Sequence, residues 1–373
     1  MPPRRVILSF LLLSALLHLY IGLRLLSAPG PVSLALLLLS VLVVPFSLLL
    51  RSIRWPALAD ALSWIGLSWF GLFALTLSLT ALRDVALLAI RLVHPDWLAS
   101  FSPDSATAVI WLSPLLLLVG MAGARRVARV RQVTVPIAGL PPELEGLRIA
   151  QLSDIHVGPT IKRGYLARMV ARTNALGADV IAITGDVVDG SVRQLAGHTR
   201  PLADLQAPQG VYLVTGNHEY YSGAREWIAE FRRLGLTVLE NQHVVLPRGS
   251  RSWVLAGVTD YSAGHFEGGV ASDPQAALAG APAEAALRVL LAHQPRSAPA
   301  AQAAGFDLQL SGHTHGGQFV PWNWLVPLQQ PFVAGLHRLG DLWVYTSRGT
   351  GYWGPPVRLF APSEITLLRL TRA

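Results

Sequence analysis

The sequence predicts an α/β domain behind an N-terminal bundle of about four transmembrane helices, and three observations predict it. Long apolar runs fill residues 6–124. Beyond residue 131, short β-branched runs alternate with helix-like stretches. Aspartate, asparagine and histidine recur just past the ends of those strands. The composition agrees: 52% of the 373 residues are hydrophobic and only 14% charged, whereas the surface of a soluble domain needs about 25%.

The apolar runs come first. Residues 6–23, 32–50, 58–82 and 106–123 each approach or exceed the ~20 residues a helix needs to cross a hydrocarbon core of about 30 Å. Pro29-Gly30-Pro31 makes a turn between the first two, and 51–56 is a short basic loop. Pro45 inside the second run is tolerable where neighbouring helices satisfy the freed carbonyl. The first run is long and followed at once by another, so it reads as an uncleaved anchor rather than a signal peptide. Residues 84–97 are too short and polar to cross and are expected to lie along the interface.

The net charge of +8 raises the question of nucleic acid. Much of the excess flanks the apolar runs, at Arg4, Arg5, Arg51, Arg54, Arg125, Arg126, Arg129 and Arg131. That placement reads as membrane orientation, and no nucleic-acid partner is expected. Four spans with those arginines inside, against Arg24, Arg83 and Arg91 outside, give a cytoplasmic C-terminal domain in the cell (inner) membrane. An odd number of spans would put it on the other side. The expected division is a membrane region with a basic linker over 1–131 and a second domain over 132–373. Zero cysteines exclude disulfides, thiolate ligands and a cysteine nucleophile, so any metal must use oxygen and imidazole.

In the second domain, 148–153, 180–184, 211–215, 253–258, 289–292 and 308–310 read as strands. Segments 165–176, 224–234 and 297–304 read as helices, and the alanine-rich 271–286 as a surface helix or loop. Past the strands stand Asp154-Ile155-His156, Gly185-Asp186 with Asp189, Gly216-Asn217-His218-Glu219, His293, and Gly312-His313-Thr314-His315. Each alone would be an ordinary turn, cap or surface histidine. Five together, all at strand ends where α/β sheets collect ligands, are a set of hard oxygen and imidazole donors suited to divalent first-row metals. Two such ions about 3.5–4 Å apart clamp the oxygens of phosphoryl transfer.

These ordered blocks resemble the calcineurin-like metallophosphoesterase superfamily. Gly312-His313-Thr314-His315-Gly316-Gly317-Gln318 and the tail Ser347-Arg348-Gly349-Thr350-Gly351 with Pro355, Pro356, Val357 and Arg358 are similar to its bacterial membrane-associated phosphodiesterase branch. The likeness covers about 147–370. It implies a four-layer αββα sandwich and two divalent ions, manganese, iron or zinc. Asp154, His156, Asp186 and His315 would surround one ion; Asp186, Asn217, His293 and His313 the other, with Asp186 bridging. His218 would protonate the leaving oxygen, oriented by Asp189.

The expected function is therefore a membrane-anchored hydrolase that cleaves a phosphodiester or pyrophosphate with a two-metal-activated hydroxide. Anchoring suggests a lipid-linked substrate, since tethering raises effective concentration at the bilayer. A soluble nucleotide or cyclic nucleotide is the alternative substrate, and an idle sensor or scaffold the rival of another class. Transport is disfavoured because the spans carry few paired charges. Trp322, Trp324, Trp343 and Trp353 are candidates for a hydrophobic lip, or equally for sheet aromatics.

Overall fold

Leucine-rich runs without a polar stripe bury nothing by facing water, and they become helices whose outer surface stays apolar. The computed structural model describes residues 4–27, 30–47, 55–319 and 322–373. Its chain divides into two units, Met1–Arg125 with Gly354–Leu359, and Arg126–Trp353 with Phe360–Ala373.

Among the described residues the first unit has four α-helices: α1 (Arg4–Leu25), α2 (Pro31–Phe46), α3 (Pro56–Val93) and α4 (Leu98–Arg125). Pro31 and Pro56 stand in the first turns of α2 and α3, where a missing N–H costs nothing. Helices α1, α3 and α4 are long and apolar enough to cross a membrane, and α2 is a shorter apolar helix of 16 residues. The expected second run continues to residue 50, and its last part lies outside the described residues. Residues 84–93 differ from expectation. They form the last turns of α3 rather than a separate interfacial piece. Nothing between Leu82 and Val93 breaks a helix, and termination waits for His94-Pro95. At about 1.5 Å per residue, the 38 residues of α3 outreach a hydrocarbon core of about 30 Å.

Leu8, Leu23 and Leu38 are 64%, 73% and 69% exposed, as lipid-facing side chains should be. Polar groups turn inward. His18 Nε2 lies 2.7 Å from Ser40 Oγ, and Trp69 Nε1 donates to the same hydroxyl at 2.7 Å. Asp84 accepts from Arg24 at 2.7 Å and from the Tyr20 hydroxyl at 2.8 Å. Gly354–Leu359 packs within this unit: the Arg358 N–H donates to Gly120 O at 2.9 Å, and Val357 lies against Gly120 with no room for a side chain there.

The second unit is a sandwich of two mixed sheets. The first runs in the order β1 (Arg129–Ile137), β12 (Glu364–Arg372), β2 (Arg148–Leu152), β3 (Val180–Thr184), β4 (Val211–Val214) and β5 (Thr237–Val238). The second runs β10 (Gly335–Leu339), β11 (Leu342–Thr346), β9 (Leu308–Ser311), β8 (Arg288–Leu291), β7 (Arg251–Gly257) and β6 (Gln242–Arg248). Strands β2 to β5 are mutually parallel, as are β7, β8, β9 and β11. Between the sheets, Ile149, Val180 and Leu368 pool with Leu255, Val289 and Leu310, all fully buried. Each such side chain contributes about 1.5–3 kcal/mol over its exposed state.

Outside the first sheet, α8 (Ala224–Arg233) packs on β5, with α6 (Val192–Thr199) and α5 (Arg163–Asn174) alongside. Outside the second, α9 (Pro274–Ala277) and α10 (Ala298–Ala304) pack on β6, β7, β10 and β11. Two sheets flanked by helices match the four-layer expectation. The remaining helix, α7 (Asn217–Ser222), is a short turn after β4. The six strands read from sequence are present within one or two residues, whereas β1, β5, β6, β10, β11 and β12 escaped.

Candidate metal centre

Parallel strands end on one edge of a sandwich, so residues two to five beyond β2, β3, β4, β8 and β9 are bound to converge. Three groups of donors result, each with its ligand atoms within 4.8 Å of one another: Asp154, His156 and His315; Asp186, His293 and His313; and His156, Asp189 and His218. All nine residues singled out in the sequence lie at these strand ends.

The backbone is forced to present them. Among the eight described non-glycine residues with positive φ, five are Asp154, His156, Asp186, His313 and His315. Left-handed backbone costs a non-glycine residue on the order of 1–3 kcal/mol and survives where surrounding structure over-determines it, characteristically at functional sites. Close approach matters as well. A side chain on Gly312 would collide with Ser153 and Asp154, and one on Gly216 with Asp186.

Each donor has its orientation fixed. The His313 N–H donates to Asp154 at 2.9 Å, and the His218 N–H to Asp186 Oδ1 at 2.9 Å. Thr184 O can only accept, so His293 Nδ1 donates to it at 2.7 Å and Nε2 faces Asp186 Oδ2 at 3.1 Å. His313 Nδ1 is 3.2 Å from His293 Nε2, and His156 Nε2 is 3.1 Å from His315 Nε2. Asp189 Oδ1 meets both His218 Nδ1 and His156 Nδ1, the latter at 3.2 Å. One carboxylate thus turns the Nε2 of two imidazoles inward.

Glu219 has a role that its place beside Asn217 and His218 in the sequence does not disclose. Its buried carboxylate accepts four backbone N–H groups: Gly216 at 2.7 Å, Asp186 at 3.0 Å, Val187 at 2.8 Å and Val188 at 3.2 Å. It ties the β4 turn to the β3 turn that carries Asp186. The signal was present, a glutamate in the first turn of a helix opened by glycine.

Electrostatics mark the rim as negative. Burial alone would lower His293, but the charges of Asp186, Asp154 and Asp260 hold it well above the ordinary imidazole value. Burial likewise opposes protonation of His218, and Asp186 and Asp189 outweigh it to bring the group to about 9. His313 is pushed down to about 3 by burial and the neighbouring His293 charge, leaving a neutral ligand-ready ring. Burial and the Asp186 charge lift Glu219 to about 7. A metal fits this set. The donors are carboxylate, imidazole and amide, and the buried Asn217 Oδ1 has no hydrogen-bond partner among the described residues.

The remaining aromatic and basic side chains fall in different places. Trp343 is a sheet aromatic donating to Pro136 O at 2.6 Å, and Arg348 pairs with Glu364 at 3.3 Å. Tyr352 is buried in packing. Tyr221 and Trp353 set their rings 5.3 and 5.6 Å from that of His218.

A two-sheet sandwich with this donor rim fits a metallophosphoesterase domain. The comparisons with known proteins agree. A family model described as calcineurin-like phosphoesterase matches residues 147–317. A Campylobacter jejuni protein named an uncharacterized metallophosphoesterase is 35% identical over 265 residues, covering 70% of this chain and 68% of its own. Proteins named "Transmembrane protein with metallophosphoesterase domain" match from Danio rerio, 38% identical over 74% of this chain, and from Bos taurus, 39% over 71%. The chain spans 64% and 62% of the length of those two. This chain belongs to the calcineurin-like metallophosphoesterase family. Its relatives are vertebrate as well as bacterial, so the likeness is not confined to a bacterial branch.

Proposed function

We propose that the chain is a membrane-anchored phosphodiesterase or pyrophosphatase of lipid-linked substrates, with a membrane region over 1–131 and a catalytic domain over 132–373. The observation that carries the chemistry is the meeting of Asp186 with His293, His156 and His218 at one rim, the two rings beyond His293 at 3.9 Å. Asp154, His156, Asp186 and His315 would hold one divalent ion, and Asp186, Asn217, His293 and His313 a second. Such ions supply Lewis acidity and make water a nucleophile near neutral pH. The residues do the rest. Asp189 holds His218 by Nδ1, leaving Nε2 to carry a proton toward the leaving oxygen. Glu219 fixes the Asp186 turn.

The lipid-linked substrate is supported by the three apolar helices, which hold a catalytic unit at the bilayer. A soluble nucleotide diester is the second reading, favoured by the Tyr221 and Trp353 rings beside His218, which suit a flat leaving group. Cytoplasmic sidedness in the inner membrane follows if α2 crosses, making four spans.

The full chain in detergent should hydrolyse an aryl phosphodiester with added manganese, and should prefer a nucleotide-linked glycolipid to a cyclic nucleotide. Preference for the cyclic nucleotide would sink the lipid reading. A reporter fused after Ala373 should read as cytoplasmic, and external signal would reverse the sidedness.

A further inference from the structure

Beyond the metal rim the chain does something unusual for a water-facing loop. After His315 it runs from Gly316 to Leu336 without one charged residue. Two short turns, Trp322–Trp324 and Val326–Leu328, hold apolar side chains outward. Trp324 is 63% exposed, Leu325 51% and Leu328 85%. Beside them, Phe319 touches Trp322 and bridges Phe360, itself 80% exposed with positive φ. A patch of this kind marks a binding surface.

Its chemistry favours lipid over protein. Tryptophan with leucine and no charge is the composition of membrane–water interfaces. Covalent continuity points the same way. Phe360 directly follows Leu359, the last residue of the segment packed on Gly120 and Gly123, in the final turns of α4. Those turns end a helix apolar enough to cross a membrane, so they lie at its interface.

The loop is also fixed to the chemistry. Gly317, two residues past His315 and at φ +79, lets Asn323 approach so closely that any side chain there would strike its Cα. Gln318 grips the Trp353 backbone by two hydrogen bonds of 2.9 and 3.0 Å, and the Trp353 ring lies against His218.

We propose that the Trp322–Leu328 loop, with Phe360, inserts into the headgroup–acyl boundary of the bilayer that the spanning helices occupy. Substrates then reach the rim along the lipid surface. This rests on the membrane-anchored reading above.

Because the sequence has no cysteine, W324C and L328C give single labelling sites. An environment-sensitive fluorophore on each, in the full chain reconstituted into phosphatidylcholine–phosphatidylglycerol vesicles, should emit to the blue. Doxyl-labelled phosphatidylcholine should quench it several-fold. D341C, at a fully exposed side chain of the β10–β11 turn, is the aqueous control. Emission and quenching at 324 and 328 equal to that control would overturn the proposal. So would blue emission without lipid quenching, which would assign the patch to a second copy or a protein partner. Hydrolysis of an aryl diester by the same preparations is read separately: its absence in the unsubstituted chain defeats the phosphoesterase reading and leaves the quenching result standing.

Discussion

The metal rim and the helical unit treat polar groups in opposite ways. At the rim, polar side chains crowd together, buried and held by named partners, on a backbone bent into the left-handed region at five donors. In the helices, polar groups are sparse and large leucines stand exposed. Both obey one rule, that a side chain sits where its solvent suits it, applied to two solvents. The rim is specified residue by residue, the helices by composition, so substitutions should cost far more at the rim.

The largest effect should come from removing metal. Dialysis against a chelator should abolish aryl diester hydrolysis, and manganese should restore it with about two ions bound per chain by elemental analysis. Retained activity without metal would break the comparison at its root. Next, His218→Asn should lower kcat about 100- to 10,000-fold while metal content and melting temperature hold. Undiminished turnover would remove His218 from the acid role. Glu219→Gln should then cost about 1–3 kcal/mol for each N–H it leaves without an acceptor, read as a lowered melting temperature of the soluble-facing unit. Finally Ser40→Ala, which strips a partner from His18 and Trp69, should cost only about 0.6–2 kcal/mol. A Ser40→Ala loss exceeding that of Glu219→Gln would reverse the contrast.

The same contrast explains what could be read in advance. The gathering of Asp154, Asp186, Asn217, His293 and His313 at one rim was legible because donor residue types recur just past strand ends, and spacing survives without knowledge of the fold. Strand β3 was legible as a β-branched apolar run buried on both faces, and β2 and β9 by buried aliphatic residues on either side of a single buried glutamine. Strand β12 was not, since Glu364, Thr366 and Arg369 interrupt its pattern. Glu364 is satisfied by Tyr345 at 2.7 Å, a partner remote in sequence. Strand β5, two residues long, carries no periodicity at all. Asp189 was seen as orienting one histidine, and its second contact to His156 depends on a fold that no local pattern encodes. The end of α3 was missed because Asp84 and Arg91 suggested a break, whereas Asp84 is paired across helices with Arg24.

The position of β12 between β1 and β2 bears on how the protein is made. Strand β1 follows α4 after three residues and is joined to the first sheet through β12 alone among the described strands, in parallel register from Arg129 with Glu364 to Ile137 with Arg372. Until residues 364–372 have been made, β1 therefore lacks its described sheet partner, and its hydrogen-bonding edge is open. Strands left in that condition pair wrongly with other chains. Arg129, Arg131 and Pro136 in β1 are residues of the kind that discourages such pairing.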